Sequence, residues 1–230
     1  MKLLTFKACA LLLVVTLIAG CAKKKDDTTV HRVLTLTTEE ATDTSTATFA
    51  YNSAGQCTEA VVFTPGRRIT YSYSAGQVVA LRYNQSSSTP SDTVVYQLNN
   101  SELAASDNKG NTNSYDAAGQ LIATVNTNGY ISDNVWSGGN MVRTTNISPG
   151  DTSTYNWTYY NDKPETRSYG LEWQGKRCQN LVSGYTLSST SPGSITSTHT
   201  FVYEFDSQSR VSKMTDTDGN GWNIVYRYTY

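Results

Sequence analysis

From about residue 30 onward, apolar and polar side chains alternate with a period of two through most of the chain. The clearest case is C-terminal. There Trp222, Ile224, Tyr226, Tyr228 and Tyr230 share one side, and Asn223, Val225, Arg227 and Thr229 the other. Similar stripes are Ala47-Phe49-Tyr51, Ile69-Tyr71-Tyr73, Val79-Leu81-Tyr83, Tyr155-Trp157-Tyr159 and Phe201-Tyr203-Phe205. Successive side chains on a strand point to opposite faces, so each run predicts a strand with one ring-bearing face to pack and one polar face to wet. Antiparallel sheets are built from such strands. No stretch sustains a helical period, and the most helix expected is a short turn somewhere in Asp162 to Gln174.

The strands are separated by turns that recur. Tyr51-Asn-Ser-Ala-Gly55-Gln56 and Tyr115-Asp-Ala-Ala-Gly119-Gln120 are near copies, and Phe205-Asp-Ser-Gln-Ser209-Arg210 has Ser in the glycine position. Shorter forms are Tyr73-Ser-Ala-Gly76-Gln77 and Trp136-Ser-Gly-Gly139-Asn140, with Leu98-Asn-Asn-Ser-Glu102 as a degenerate version. An aromatic closes one strand, an Asn, Asp or Ser caps the turn, and Gly takes the left-handed position. A second set of turns lies between these, at 64–66, 107–110, 126–129, 148–151 and 218–221. The Tyr-Asp-x-x-Gly units resemble the YD repeats of RHS-type proteins. That resemblance implies a long, curved antiparallel sheet of consecutive hairpins and implies no reaction. The expected fold is thus all-β, a single domain over residues 29–230, twisted and curved. The segment Pro164–Leu181 is expected to pack over an open side of it.

The N-terminal end reads differently. Met1-Lys2 and Lys7 precede an apolar run, Ala8 to Ile18, that is far short of the roughly 20 residues needed to span a bilayer as a helix. Ala19-Gly20-Cys21 after such a run resembles the lipobox of bacterial lipoproteins. The resemblance implies a signal peptide over 1–20, a diacylated Cys21 and outer-membrane lipid as the first partner. Two or three acyl chains anchor stably where one is marginal. Lys23-Lys24-Lys25-Asp26-Asp27 makes residues 21–28 a charged, flexible tether. It is also similar to the signal that sends Bacteroidota lipoproteins to the cell surface, with a periplasm-facing anchor as the alternative. Lipobox and repeats together resemble small Bacteroidota lipoproteins of a domain-of-unknown-function family.

Composition narrows the rest. The chain holds 16 Tyr and a formal charge of −1, which moves further negative when Lys2 and Lys7 leave with the leader. That balance offers no basic stripe for nucleic acid. Once Cys9 is cleaved and Cys21 acylated, Cys57 and Cys178 remain, either as a disulfide in an oxidising compartment or as two separate thiols. Asp216, Asp218 and Asn220 match the first half of a calcium loop, but Arg227 stands where the closing Glu is required, so a hairpin turn is the competing reading. His199 shares the face of Phe201 and Tyr203, and the odd separation puts Glu204 on the other face. Glu59, Glu172 and Glu204 are the strand-borne acids a glycosidase would draw on, and nothing in the sequence pairs them. Trp136 and Trp173 are the candidate exposed platforms for a sugar or a partner protein. No catalytic constellation and no cofactor motif is present. The expectation is a non-enzymatic envelope lipoprotein presenting a surface to a glycan or partner protein. The alternatives are a polysaccharide or peptide hydrolase whose carboxylates meet only in the fold, and a structural subunit of a surface assembly.

Overall fold

The computed structural model describes residues 31–41, 43–63, 66–84, 87–190 and 196–230. The leader, Cys21 and the charged tether lie outside the described residues. The first element is a short strand, β1 (His31–Arg32). The next seven are β2 (Thr35–Glu40), β3 (Asp43–Tyr51), β4 (Cys57–Val62), β5 (Arg67–Ser74), β6 (Gln77–Asn84), β7 (Asp92–Leu98) and β8 (Ala104–Asp107). Then follow β9 (Thr112–Tyr115), β10 (Leu121–Val125), β11 (Ile131–Ser137), β12 (Asn140–Ser148), β13 (Asp151–Pro164) and β14 (Arg167–Ser168). The last four are β15 (Asn180–Ser189), β16 (Ser197–Phe205), β17 (Val211–Asp218) and β18 (Asn223–Thr229).

The all-β expectation holds, but the sheet is not open. All strands except β1 and β14 form one antiparallel closed barrel. Closure is made by β18 on β2, from Ile224 opposite Glu40 to Thr229 opposite Thr35. An open sheet of this length would leave two unpaired edges, and closing it satisfies both rows of backbone groups. The thinnest join is between β8 and β9, where Ser106 opposite Thr112 is the one ladder pair. There Asn113 Nδ2 and Tyr115 Oη both donate to the Ala104 carbonyl, at 2.9 and 3.0 Å, in place of ladder bonds.

The two sets of turns sort to the two rims. The recurrent aromatic turns lie at one end and the described turns of the second set at the other, as strict up-and-down connectivity requires. Many share one device. Asn52, Asp116 and Asp206 each accept the backbone N–H groups two and four residues ahead. Asp107, Asn126 and Asp218 do the same at the opposite rim. Gly119 sits in the left-handed region at φ 80°, and Ser209, at φ 60°, occupies the equivalent place.

Between β13 and β15 the chain leaves the wall. Residues 165–179, the cross-segment, run over the aromatic-turn rim and into the barrel, so the expected cover is a plug. Backbone bonds join Cys57 N to Gly170 O, Lys176 N to Gly119 O and Gln179 N to Gly139 O. Its single 3₁₀ turn, Glu172–Gln174, falls in the interval expected for helix. Tyr169, Leu171 and Trp173 pack among Leu36, Phe49, Val78, Tyr203, Tyr226 and Tyr228 to fill one half of the lumen. Inward rings therefore form the core, as the stripes predict. One stripe faces the other way: Val79, Leu81 and Tyr83 share the outer side with Ser72, Thr70 and Arg68, and Arg68 covers the Tyr83 ring at 4.1 Å. Phe205 and Trp222, at strand ends, are also substantially exposed.

Candidate functional site

Packing fills only half the lumen because inward rows differ around the wall. From β10 to β13 those rows are polar or aromatic: Thr124, then Ser132-Asn134-Trp136, Thr144-Asn146 and Ser153-Tyr155-Trp157, brought side by side by register. Bulky non-aromatic apolar residues are few here, Leu121 and Met141 among the lining, and a cavity of about 390 Å³ remains. Trp136, Trp157, Tyr96, Tyr115, Tyr130 and Tyr155 give it rings, and Asn113, Asn134 and Asn146 give it amides. Trp173, Gln174, Lys176 and Cys178 of the cross-segment form its floor.

The wall of the cavity is held by its own hydrogen bonds. Trp136 Nε1 donates to the Leu121 carbonyl at 2.9 Å, which fixes the indole against the wall. Thr144 Oγ1 donates to Asn134 Oδ1 at 2.9 Å and accepts from Trp157 Nε1 at 3.3 Å. Thr124 Oγ1 donates to Asn113 Oδ1 at 2.8 Å. Tyr155 lies parallel to Trp157, with ring centroids 5.7 Å apart. By contrast, the hydroxyls of Ser132, Tyr130 and Tyr155 and the amide of Asn146 meet no partner among the described residues, so they are left to water or an occupant. Burial raises the phenols of Tyr130 and Tyr155 above the usual tyrosine range, so both are neutral donors at ordinary pH. Lys176 is the one charged side chain among the described lining residues.

Trp136 and Trp173, expected as exposed platforms, are instead inward walls of this same cavity. Trp173 is only 7% exposed and packs at a tilt against Tyr96, with ring centroids 4.5 Å apart. Cys57 and Cys178 are free thiols rather than a disulfide. Cys57 Sγ contacts the Glu59 carbonyl, and Cys178 Sγ lies 3.3 Å from the Tyr159 hydroxyl. Burial raises both thiols, which keeps them protonated. The calcium candidates are already engaged. Asp218 caps its turn through the N–H groups of Asn220 and Trp222, while Asp216 Oδ1 sits 2.8 Å from His199 Nδ1. No cluster of metal-ligating side chains forms among the described residues. His199 faces inward, stacked on Tyr185 at 4.5 Å, whereas Glu204 faces out to Lys213. Glu59 pairs with Arg68 and Glu172 with Arg32, so the three candidate acids stay apart. The reading from sequence missed Tyr96, Tyr115, Asn113, Asn134 and Asn146. A usable signal was present: Asn134 stands beside Trp136 on one inward row and Asn146 beside Thr144 on the next, where a filled core would carry aliphatic residues.

Solved structures share this wall. A porin-like protein from Bacteroides uniformis matches with a TM-score of 0.62 at 17% identity, over 86% of this chain and 97% of its own. A porin-like protein from Bacteroides vulgatus matches with a TM-score of 0.58 at 9% identity, over 86% of this chain and 98% of its own. The fold is the porin-like barrel. In sequence, the chain matches no protein-family model and no curated protein. This barrel points most of its rings inward, with Tyr83 an outward exception. A bilayer-spanning barrel carries an outward apolar band about 25 Å tall. Here the outward rows mix Thr, as at Thr35, Thr37, Thr46 and Thr48, with apolar residues such as Val79, Leu81 and Val202, and carry the pairs Glu39–Arg227 and Glu204–Lys213.

Proposed function

We propose that this chain is a lipid-anchored, non-enzymatic binding protein of the outer membrane, displayed at the cell surface, that takes a glycan inside its barrel rather than on its outer face. The likeness of its rim turns to YD repeats and to small Bacteroidota lipoproteins belongs to the same proposal. The observation that carries it is the lumen cavity. Rings stack on the apolar faces of sugars, and side-chain amides and hydroxyls exchange hydrogen bonds with sugar hydroxyls. Trp136, Trp157 and Tyr155 supply the first, and Asn134, Asn146, Ser132 and Tyr130 the second. The described lining holds no Asp or Glu, so the two carboxylates of a glycosidase have no place in it.

The anchor fits this geometry. β1 runs parallel to β14 at the plugged rim, so the chain leading back to Cys21 leaves from that end. Acylation of Cys21 would hold the plugged rim toward the membrane and the other rim away from it.

The test uses soluble protein of residues 29–230, titrated with neutral oligosaccharides by calorimetry and intrinsic fluorescence. Three of the four tryptophans line the cavity, and Trp222 is outside it. Binding should therefore shift the emission. Trp136→Ala should weaken affinity about tenfold, the worth of a lost stacking contact of ~1.4 kcal/mol. Saccharide binding with unchanged emission and an unaffected Trp136→Ala variant would place the ligand elsewhere.

A further inference from the structure

We propose that the cavity is a blind socket that receives the end of a glycan chain, inserted from the rim opposite the cross-segment. This rests on the glycan reading above and narrows it from a glycan to a chain terminus.

The argument is topological first. An internal stretch of a polysaccharide needs a groove open at both ends. Here the wall is closed all round, and the cross-segment shuts one end. That floor is packed rather than loose. Trp173 rests against Tyr96 and Tyr71, and Tyr115 Oη reaches the Gln174 carbonyl at 3.3 Å. On the cavity side, Gly175 approaches so closely that a Cβ there would stand 3.0 Å from the Tyr115 ring, and backbone bonds from Lys176 N to Gly119 O and Gln179 N to Gly139 O tie the floor to the rim.

The other end differs. Ser132 and Asn146 face each other in register beside the rim, with Tyr130 next to them. The connections there are tight turns, closed by Asn126 on its own backbone and by Ser148–Asp151. A chain entering at Tyr130, Ser132 and Asn146 passes Asn134, Trp136 and Trp157 and stops on Trp173 and Gln174. The volume lies near the low end of the roughly 300–1,000 Å³ usual for small-molecule sites. That suits a mono- or disaccharide end and no more.

The experiment compares chain lengths of one sugar at a time. Disaccharides and hexasaccharides of the malto, cello, xylo and chito series are titrated into the soluble protein, followed by the parent polymer. A socket predicts disaccharide and hexasaccharide affinities within about threefold. It also predicts polymer binding that saturates at one protein per chain end. An affinity that climbs more than about tenfold with length, or polymer binding in proportion to mass, overturns the socket and leaves the glycan reading standing. Failure of every series to bind overturns both. Two mouth variants, Ser132→Trp and Asn146→Trp, should each abolish binding while melting within a few degrees of the parent. Thr145→Trp, on the outward row, should bind normally. Normal binding by a folded mouth variant also refutes the proposal.

Discussion

The Tyr169 hydroxyl is sealed in the core with no hydrogen-bond partner among the described residues, and its ring meets Phe49 edge-on at 5.1 Å. An unpaired buried hydroxyl costs about 1–3 kcal/mol in desolvation, whereas the ring itself contributes by packing. Tyr169→Phe should therefore leave stability unchanged or raise it by about 1 kcal/mol, read from urea unfolding. A loss of that size would mean the hydroxyl has an acceptor. Trp136 belongs at this scale too. Its indole N–H is committed to the Leu121 carbonyl, so its ring is presented at fixed orientation and does not have to be ordered when a ligand arrives.

The cross-segment is the element on which the site depends. Its entry is clamped by a buried ion pair: Arg167 Nη2 lies 2.6 Å from Glu165 Oε2, with both side chains less than a tenth exposed. Arg167 Nη1 also donates to the Tyr228 hydroxyl at 2.8 Å. Removing one partner of such a pair strands the other charge and costs about 3–5 kcal/mol. Glu165→Gln should therefore lower unfolding free energy by about that amount and sensitise residues 165–179 to protease. A variant as stable and as protease-resistant as the parent would show that the pair does not hold the plug. Arg32, bonded to Ser168 and Glu172, ties the N-terminal strand to the same element.

At the scale of the whole molecule, burial of so many phenols sets an alkaline limit. Burial pushes Cys57 and Tyr115 each up to about 12, and raises Tyr71, Tyr203 and Tyr226 further still. In the unfolded chain these groups lose their protons near pH 8.5 to about 10. Between about pH 9 and 12 the unfolded state holds fewer protons than the folded one, so stability falls as pH rises, and it is fully present below that window. Melting temperature should decline from about pH 9 upward, and phenolate absorbance should rise together with unfolding. Phenolate forming throughout an intact barrel would contradict the burial. The proposed anchor is tested at the same scale. Native protein should enter the detergent phase in a Triton X-114 partition, and Cys21→Ser should move to the aqueous phase. Retention of Cys21→Ser in detergent would mean that the barrel itself meets lipid.

Most strand faces, most of the tight turns and a short helical turn within Asp162–Gln174 were readable from residue order; the outward stripe Val79-Leu81-Tyr83 and the turn between Glu40 and Asp43 were not. The readable features follow from local rules: alternation, Asx capping, and the left-handed geometry at Gly119 and its Ser209 counterpart. The opposite faces of His199 and Glu204 were readable for the same reason. Closure was not, because the pairing of Thr35–Glu40 with Asn223–Thr229 joins residues almost the whole chain apart, and no local pattern encodes which edge finds which. The same distance hid the cavity. Asn134, Trp136 and Trp157 look like three ordinary strand residues until closure and the plug enclose them, and only then do their amide and rings face one space.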